Sequence, residues 1–240
     1  MNPHESFGIS DIGLKRSNNE DVWNALADQQ FFILADGVGG HNAGEVASQF
    51  ATKSMCASMS AHSTQASVEE ACRLLRKAVH TANQTVLQKA QETASCKGMG
   101  TTLSCFVLLE NHLVYAHVGD SRLYRFRQKL HKLTRDHSTK QITDGKVRIM
   151  ITRAVGNQAT IHPDLGVIPL CSNDVYMLCS DGLSDYVPEE TLSKILGSPL
   201  PLKEMGKKLI KAALEKGGND NITLLLVRVK PGTHLSKIFR

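Results

Sequence analysis

Six acidic residues stand beside strand-like apolar runs: Glu20, Asp21, Asp36, Asp120, Asp181 and Asp220. Five of the six adjoin Gly or Asn, as in Asn19-Glu20, Asp36-Gly37, Gly119-Asp120, Asp181-Gly182 and Asp220-Asn221. Those neighbours let a chain turn sharply, and Asp-Gly is a common turn dipeptide, so each acid alone reads as a turn residue. Repetition changes that reading. Asp36, Asp120 and Asp181 each follow a strand-like run, and Asp220 precedes one. Strand ends of a packed sheet converge on one edge, where unpaired carboxylates raise one another's pKa. Hard divalent cations take oxygen ligands and keep several waters. Two of them, a few ångströms apart, remove the repulsion, clamp a phosphoryl group and ionise a water. Arg16 lies four residues before Glu20 and carries a planar fork able to hold a phosphate bidentately. Taken alone, it reads more readily as half of a surface ion pair with a nearby acid.

These residues need elements to position them. Strand-like segments cover 6–11, 21–25 and 31–35, the last a wholly apolar run that ends at Asp36. Val46, Phe50 and Met55 recur at helical spacing, which predicts a helix over 43–61. Ser67 and Glu70 form a capping box. Behind it Ala71, Leu74, Leu75, Ala78, Val79, Ala82 and Val86 trace the apolar face of a second helix. Strands follow over 101–109, 112–118 and 122–126, then an irregular stretch over 131–151. A strand over 175–179, helices over 189–196 and 202–216, and a strand over 222–229 complete the series. Strands, two helices, more strands, two helices and a last strand predict an α+β domain with helices packed on sheets.

At 240 residues the chain is long enough to bury a substantial core. Its 41% hydrophobic and 21% charged content is that of a soluble globular protein. The net charge of +5 is mild, and it reads as solvated helix faces with a basic tail over 231–240. No aromatic interleaving or recognition helix accompanies it, which argues against nucleic acid. The six cysteines are scattered without a Cys-x-x-Cys pair, so no zinc site or disulfide framework is indicated. No signal-peptide core or membrane-length apolar stretch is present, which predicts a cytoplasmic protein without direct membrane insertion.

Eight blocks occur in a fixed order: Ser10–Asp21, Ala35–Glu45, Gly98–Thr102, His117–Arg122, Asp136–Ser138, Thr152–Gly156, Ser180–Asp185 and Asp220–Thr223. Singly they are weak. Together they resemble the PPM family of metal-dependent serine/threonine protein phosphatases (type 2C) in its compact bacterial form. The resemblance spans nearly the whole chain. It implies an α-β-β-α sandwich of two central, mostly antiparallel sheets flanked by helical pairs, as a single domain over 1–230. It also implies two Mn²⁺ or Mg²⁺ ions, with a third, weaker one in some bacterial members. Asp36 would bridge the two ions. Asp181 and Asp220 would complete the first shell, and the Gly37 carbonyl would serve the second ion. Glu20 and Asp21 would hold metal-bound waters or contact the ions, and Asp120 with Asp181 would take the third. Arg16 would bind the substrate phosphate. The implied reaction is one-step attack on phosphoserine or phosphothreonine by metal-bridging hydroxide, in a monomer that opposes a bacterial Ser/Thr kinase and acts on its phosphorylated substrates.

Two departures from the family pattern matter. Some members carry a His directly after the first Asp-Gly as a proposed general acid; here Val38 stands there. His41 is close but not equivalent and reads equally as a structural residue beside the loop; a metal-bound water could protonate the leaving alkoxide instead. The segment between Asp136-His137-Ser138 and Thr152–Gly156 is only 139–151, shorter than the flap usual in bacterial relatives. A shortened flap predicts an open groove and broad peptide acceptance.

Overall fold

The computed structural model describes residues 4–38, 43–143 and 146–231. Strands β1 (His4–Asp11), β2 (Asp21–Leu26) and β3 (Phe31–Val38) lead into two long helices, α1 (Gly44–Met59) and α2 (Val68–Glu92). Next come β4 (Gly100–Thr101), β5 (Leu103–Leu108), β6 (His112–Val118), β7 (Arg122–Arg127) and β8 (Lys129–Lys132). A hairpin of β9 (Ser138–Thr143) and β10 (Lys146–Ile151) is followed by β11 (Asp164–Pro169) and β12 (Val175–Cys179). The chain closes with α3 (Asp181–Ser184), α4 (Glu189–Leu196), α5 (Leu202–Glu215) and β13 (Ile222–Val229).

Two antiparallel sheets form the centre. One runs β1-β13-β12-β7-β8, the other β11-β6-β5-β3-β2, with β4 paired to β3. Successive side chains on a strand face opposite sides, and β3 uses both. Phe31 and Ile33 pack under α1 and α2, while Phe32 and Leu34 face the other sheet. The second sheet repeats the device. Met177, Cys179, Leu224 and Leu226 meet α4 and α5, and Tyr176, Leu178, Leu225 and Val227 fill the space between sheets. Strands buried on both faces must read as continuous apolar runs, which is why they stand out in the sequence. Fully burying each such Leu or Phe contributes roughly 1.5–3 kcal/mol. The α-β-β-α sandwich is therefore the observed fold.

The capping box is present: the Ser67 hydroxyl accepts from the Glu70 N–H at 3.2 Å, and the Ser67 N–H donates to Glu70 Oε2 at 2.8 Å. Several details differ from the sequence expectation. The first helix is shorter, 44–59, because Ala43 takes a left-handed conformation (φ 57°) and sets its start. Within 131–151, residues 138–143 and 146–151 are regular, paired antiparallel as β9 and β10. The edge strand β11 and the short helix α3 had no counterpart in that reading. Among the described residues no helix is long and apolar enough to cross a membrane. His41 and 232–240 of the basic tail lie outside the described residues.

Candidate active site

The fold brings the acidic positions to one end of the sandwich. Asp21 opens β2 and lies directly across from Asp36 on β3. Asp120 occupies the turn where the chain leaves β6 of one sheet for β7 of the other. Asp181 starts α3 immediately after β12, and Asp220 precedes β13, the strand paired with β12. Both sheets thus contribute carboxylates to one junction.

Hydrogen bonds hold the backbone there. The Asp36 N–H donates to Thr102 Oγ1 at 2.9 Å, and the Asp36 carbonyl accepts from the Thr102 N–H at 2.8 Å and Thr101 Oγ1 at 2.9 Å. The Gly37 N–H donates to the Glu20 carbonyl at 3.1 Å. A side chain at Gly37 would collide with the backbone of Gly44, and one at Gly44 with the Glu20 carboxylate. These two glycines let the Asp36 loop, the start of α1 and Glu20 crowd together. Across the sheets, Ser180 Oγ donates to Asp21 Oδ2 at 2.7 Å while accepting from the Thr223 N–H at 3.0 Å.

The electrostatics are unusual for a cluster of acids. Burial, then Asp21, Asp181, Asp120 and Asp220, push the Asp36 carboxyl well above the ordinary range. Burial, followed by Asp120 and Asp220, lifts Asp181 to about 8. Burial alone accounts for most of the rise of Asp21 to about 6, and the same holds for Asp120, also about 6, with Asp185 adding to it. Asp21 Oδ1 and Asp120 Oδ1 are buried with no hydrogen-bond partner among the described residues. Buried acceptors left open in this way cost free energy unless something outside the chain meets them. An all-oxygen, net-negative donor set with free lone pairs fits a hard divalent cation. Among the described residues no group of three or more His, Cys, Asp or Glu side chains is placed to hold a metal ion by itself; an ion that keeps several waters and takes one or two carboxylates does not require such a group.

Arg16 also reaches this junction. Its Nη2 donates to Asp220 Oδ2 at 2.6 Å, and the side chain is 48% exposed. The ion-pair alternative is thus what the geometry contains, but its partner is Asp220, not the adjacent Glu20. Glu20 instead accepts from Asn18 Nδ2 at 3.3 Å.

Several residues that build the site drew no individual role from the sequence. Asn221 is 4% exposed; its Nδ2 donates to the carbonyls of Ile12 and Asn18 at 3.0 and 2.9 Å, and its Oδ1 accepts from the Glu20 N–H at 2.9 Å. It therefore pins the Arg16 loop beside Asp220. Arg122 grips Asp136 through Nε and Nη2 at 3.1 and 2.8 Å, Asp185 at 3.2 Å and the Ser184 carbonyl at 3.1 Å. It thus anchors α3, which begins with Asp181. Their only sequence signal was membership of ordered blocks. A cleft of about 820 Å³ lies at the opposite end of β3, near Gln30, Ser67 and Leu108. It offers none of this chemistry, so size does not mark the site.

Solved structures share this architecture. The Mycobacterium tuberculosis serine/threonine phosphatase PstP/Ppp is 33% identical and superposes with a TM-score of 0.85, over 95% of this chain and 99% of its own. The catalytic domain of PstP in complex with two manganese ions gives 0.83 at 32% identity, over 95% and 98% of the two chains. Protein phosphatase PhpP of Streptococcus pneumoniae serotype 2 is 35% identical over 236 residues, 91% of this chain and 95% of that protein. A two-sheet protein phosphatase is the class these likenesses define. The family model for protein phosphatase 2C matches residues 15–226, and the chain belongs to that family of serine/threonine protein phosphatases.

Proposed function

We propose that this chain is a divalent-metal-dependent phosphatase of phosphoserine and phosphothreonine in proteins, and that it reverses a bacterial Ser/Thr kinase. The observation that carries the reading is the convergence of Asp21, Asp36, Asp120, Asp181 and Asp220 at one sheet junction without a matching set of cations from the chain itself. A structural relative complexed with two manganese ions supports the choice of metal.

Asp36, Asp181 and Asp220 would hold the ions, with the Gly37 carbonyl, Glu20 and Asp21 beside them and Asp120 and Asp181 serving a third. When bound, Mn²⁺ or Mg²⁺ supplies Lewis acidity, which lowers the pKa of water and neutralises charge on the phosphoryl group. The chain's own part is positional. Ser180 and Thr102 fix Asp21 and the Asp36 backbone, so the donors are preorganised where charge develops. Arg16, half exposed on a loop pinned by Asn221, exchanges its Asp220 contact for the substrate phosphate. Asn221 keeps that fork within reach of the acidic junction whichever anion it holds.

The test is phosphate release from a phosphoserine peptide and from an aryl phosphate, with Mn²⁺ and with chelator. Wild type should require the metal, and Asp36→Asn and Asp181→Asn should be nearly inactive. Activity that survives the chelator, or variants equal to wild type, would overturn the metal mechanism. A phosphopeptide panel tests the expectation from the short 139–151 segment: broad acceptance supports it, and a sharp sequence preference counts against it.

A further inference from the structure

The turn that presents Asp120 is held from the stem of the β9–β10 hairpin. His137 immediately precedes β9, and Thr152 immediately follows β10. The His137 N–H donates to the Gly119 carbonyl at 2.7 Å, and the Gly119 N–H donates back to His137 Nδ1 at 3.1 Å. The Thr152 N–H closes the stem on the His137 carbonyl at 2.8 Å. Because Nδ1 accepts, the ring hydrogen sits on Nε2, which donates to Asp164 Oδ2 at 3.0 Å. Asp164 is fixed in turn by Arg153 Nη1 on its other oxygen at 2.7 Å. The His137 ring is 7% exposed and stacks on His117, centroids 4.8 Å apart. His117 is itself oriented, donating from Nε2 to the Arg135 carbonyl at 3.1 Å, with Nδ1 2.8 Å from Ser104 Oγ.

Asp120 depends on this clamp. Its side chain is 7% exposed and its Oδ1 has no partner among the described residues. It follows Gly119 directly in the chain, so its direction depends on the backbone of the turn. That turn contains Gly119 at φ +105°, pressed against Thr102, where a side chain could neither fit nor stiffen the chain. The reciprocal bonds with His137 fix its Gly119 side, while on the other side Ser121 is held by Thr102 Oγ1 at 2.7 Å and, through its carbonyl, by Ser104 Oγ at 3.1 Å.

We propose that His137 is a positioning residue of the phosphatase: its ring locks the Gly119–Asp120 turn to the hairpin stem and so sets the reach of Asp120 toward a divalent cation. The proposal rests on the metal-dependent reading above. It makes the Asp136-His137-Ser138 block part of the metal site's support, although His137 touches neither metal nor substrate.

The test compares wild type with His137→Ala, His137→Asn and His137→Gln. The readouts are amide exchange at Gly119 and the ring-nitrogen NMR tautomer in metal-free protein, Mn²⁺ titration by calorimetry, and the Mn²⁺ dependence of kcat and KM. Wild type should show the Nε2–H tautomer and a protected Gly119 amide. In His137→Ala, Gly119 should exchange about tenfold faster, the loss expected for one hydrogen bond. Its weakest Mn²⁺-binding step should weaken about 10–100-fold, with kcat more affected than KM. An Asn amide oxygen falls near the place of Nδ1, so His137→Asn should recover both properties. Gln reaches toward Asp164 instead, so His137→Gln should behave like the alanine variant. Asn and Gln variants that match each other, or an unchanged Gly119 amide in His137→Ala, would overturn the proposal. Should the alanine variant not fold, the Asn–Gln contrast decides. Should wild type bind no Mn²⁺, the metal reading fails, and Gly119 exchange without metal still decides whether His137 holds the turn.

Discussion

Asp136 and Asp174 each face a guanidinium, whereas Asp21, Asp36 and Asp181 face one another. Arg122 holds the Asp136 carboxyl below its usual range despite the opposing effect of burial. Arg127 grips the fully buried Asp174 through two bonds of 2.6 Å, and Tyr176 adds a third at 2.9 Å. At the sheet junction Arg16 donates to Asp220, while Asp21, Asp36 and Asp181 are driven upward. A buried carboxylate with its cation in the chain is a structural part. Under the proposed function, the acidic cluster would take its cations from solution, and binding them would relieve its repulsion.

The contrast should break hardest at Asp36. Asp36→Asn is expected to lower Mn²⁺-dependent kcat on the order of a thousandfold or more, the equivalent of several kcal/mol of lost charge stabilisation. The same variant should leave the metal-free melting temperature unchanged or higher, because it removes a buried charge that lacks a partner. A large loss of metal-free stability would place Asp36 with the structural aspartates. Arg122→Met is expected to do the reverse. Removing one partner of a partly buried pair should cost about 3 kcal/mol in urea unfolding, with activity falling only as far as α3 loosens. A variant as stable as wild type would remove Arg122 from the structural group.

A pH series sharpens the same distinction. Carboxyls raised in the folded state hold protons that the unfolded chain has released, so stability falls as pH rises from their unfolded value of 3.8 toward the folded one. His4 and His117, both lowered to about 4 by burial, act oppositely: their contribution is lost as pH drops below 6.5. Above pH 6.5 only the carboxyl effect remains. With Asp181 near 8, the chelated protein should lose stability between pH 6.5 and 8, and Asp181→Asn should flatten that slope. An equal slope in both would reject the assignment. The smallest effect belongs to the surface. Lys207→Ala removes an exposed pair with Glu204 at 3.2 Å and should shift stability by no more than about 0.5 kcal/mol.

Legibility in the sequence followed burial. Strands such as 31–35, 175–179 and 222–229 are packed on both faces, so their apolar runs were plain. β11 is an edge strand of mixed exposure, bounded by Pro163 and Pro169 and broken by Gly166, and nothing in its pattern exceeded a loop signal. Of the β9–β10 pair, Ser138–Thr143 carries a single apolar residue, Ile142, so the alternation of Val147, Ile149 and Ile151 had no matching partner strand to read. The acidic positions were legible because each sits at the end of such a run. Their supports were not. Asn221 acts on residues 201 and 203 positions away, and Arg122 on residues 14 and 63 away. Contacts of that range leave no local periodicity to read.

The pairing of β1 with β13 has a consequence for how the molecule comes to exist. Residues 4–11 find their sheet partner only in residues 222–229, and Asn221, which pins the Arg16 loop, arrives with them. During synthesis from the amino end, β1 must wait through the making of both sheets' other strands before it can dock. Such non-local pairing folds slowly and leaves an unpaired edge exposed meanwhile. It also means that a nascent chain has neither an assembled acidic junction nor an anchored Arg16 loop until its final strand is in place.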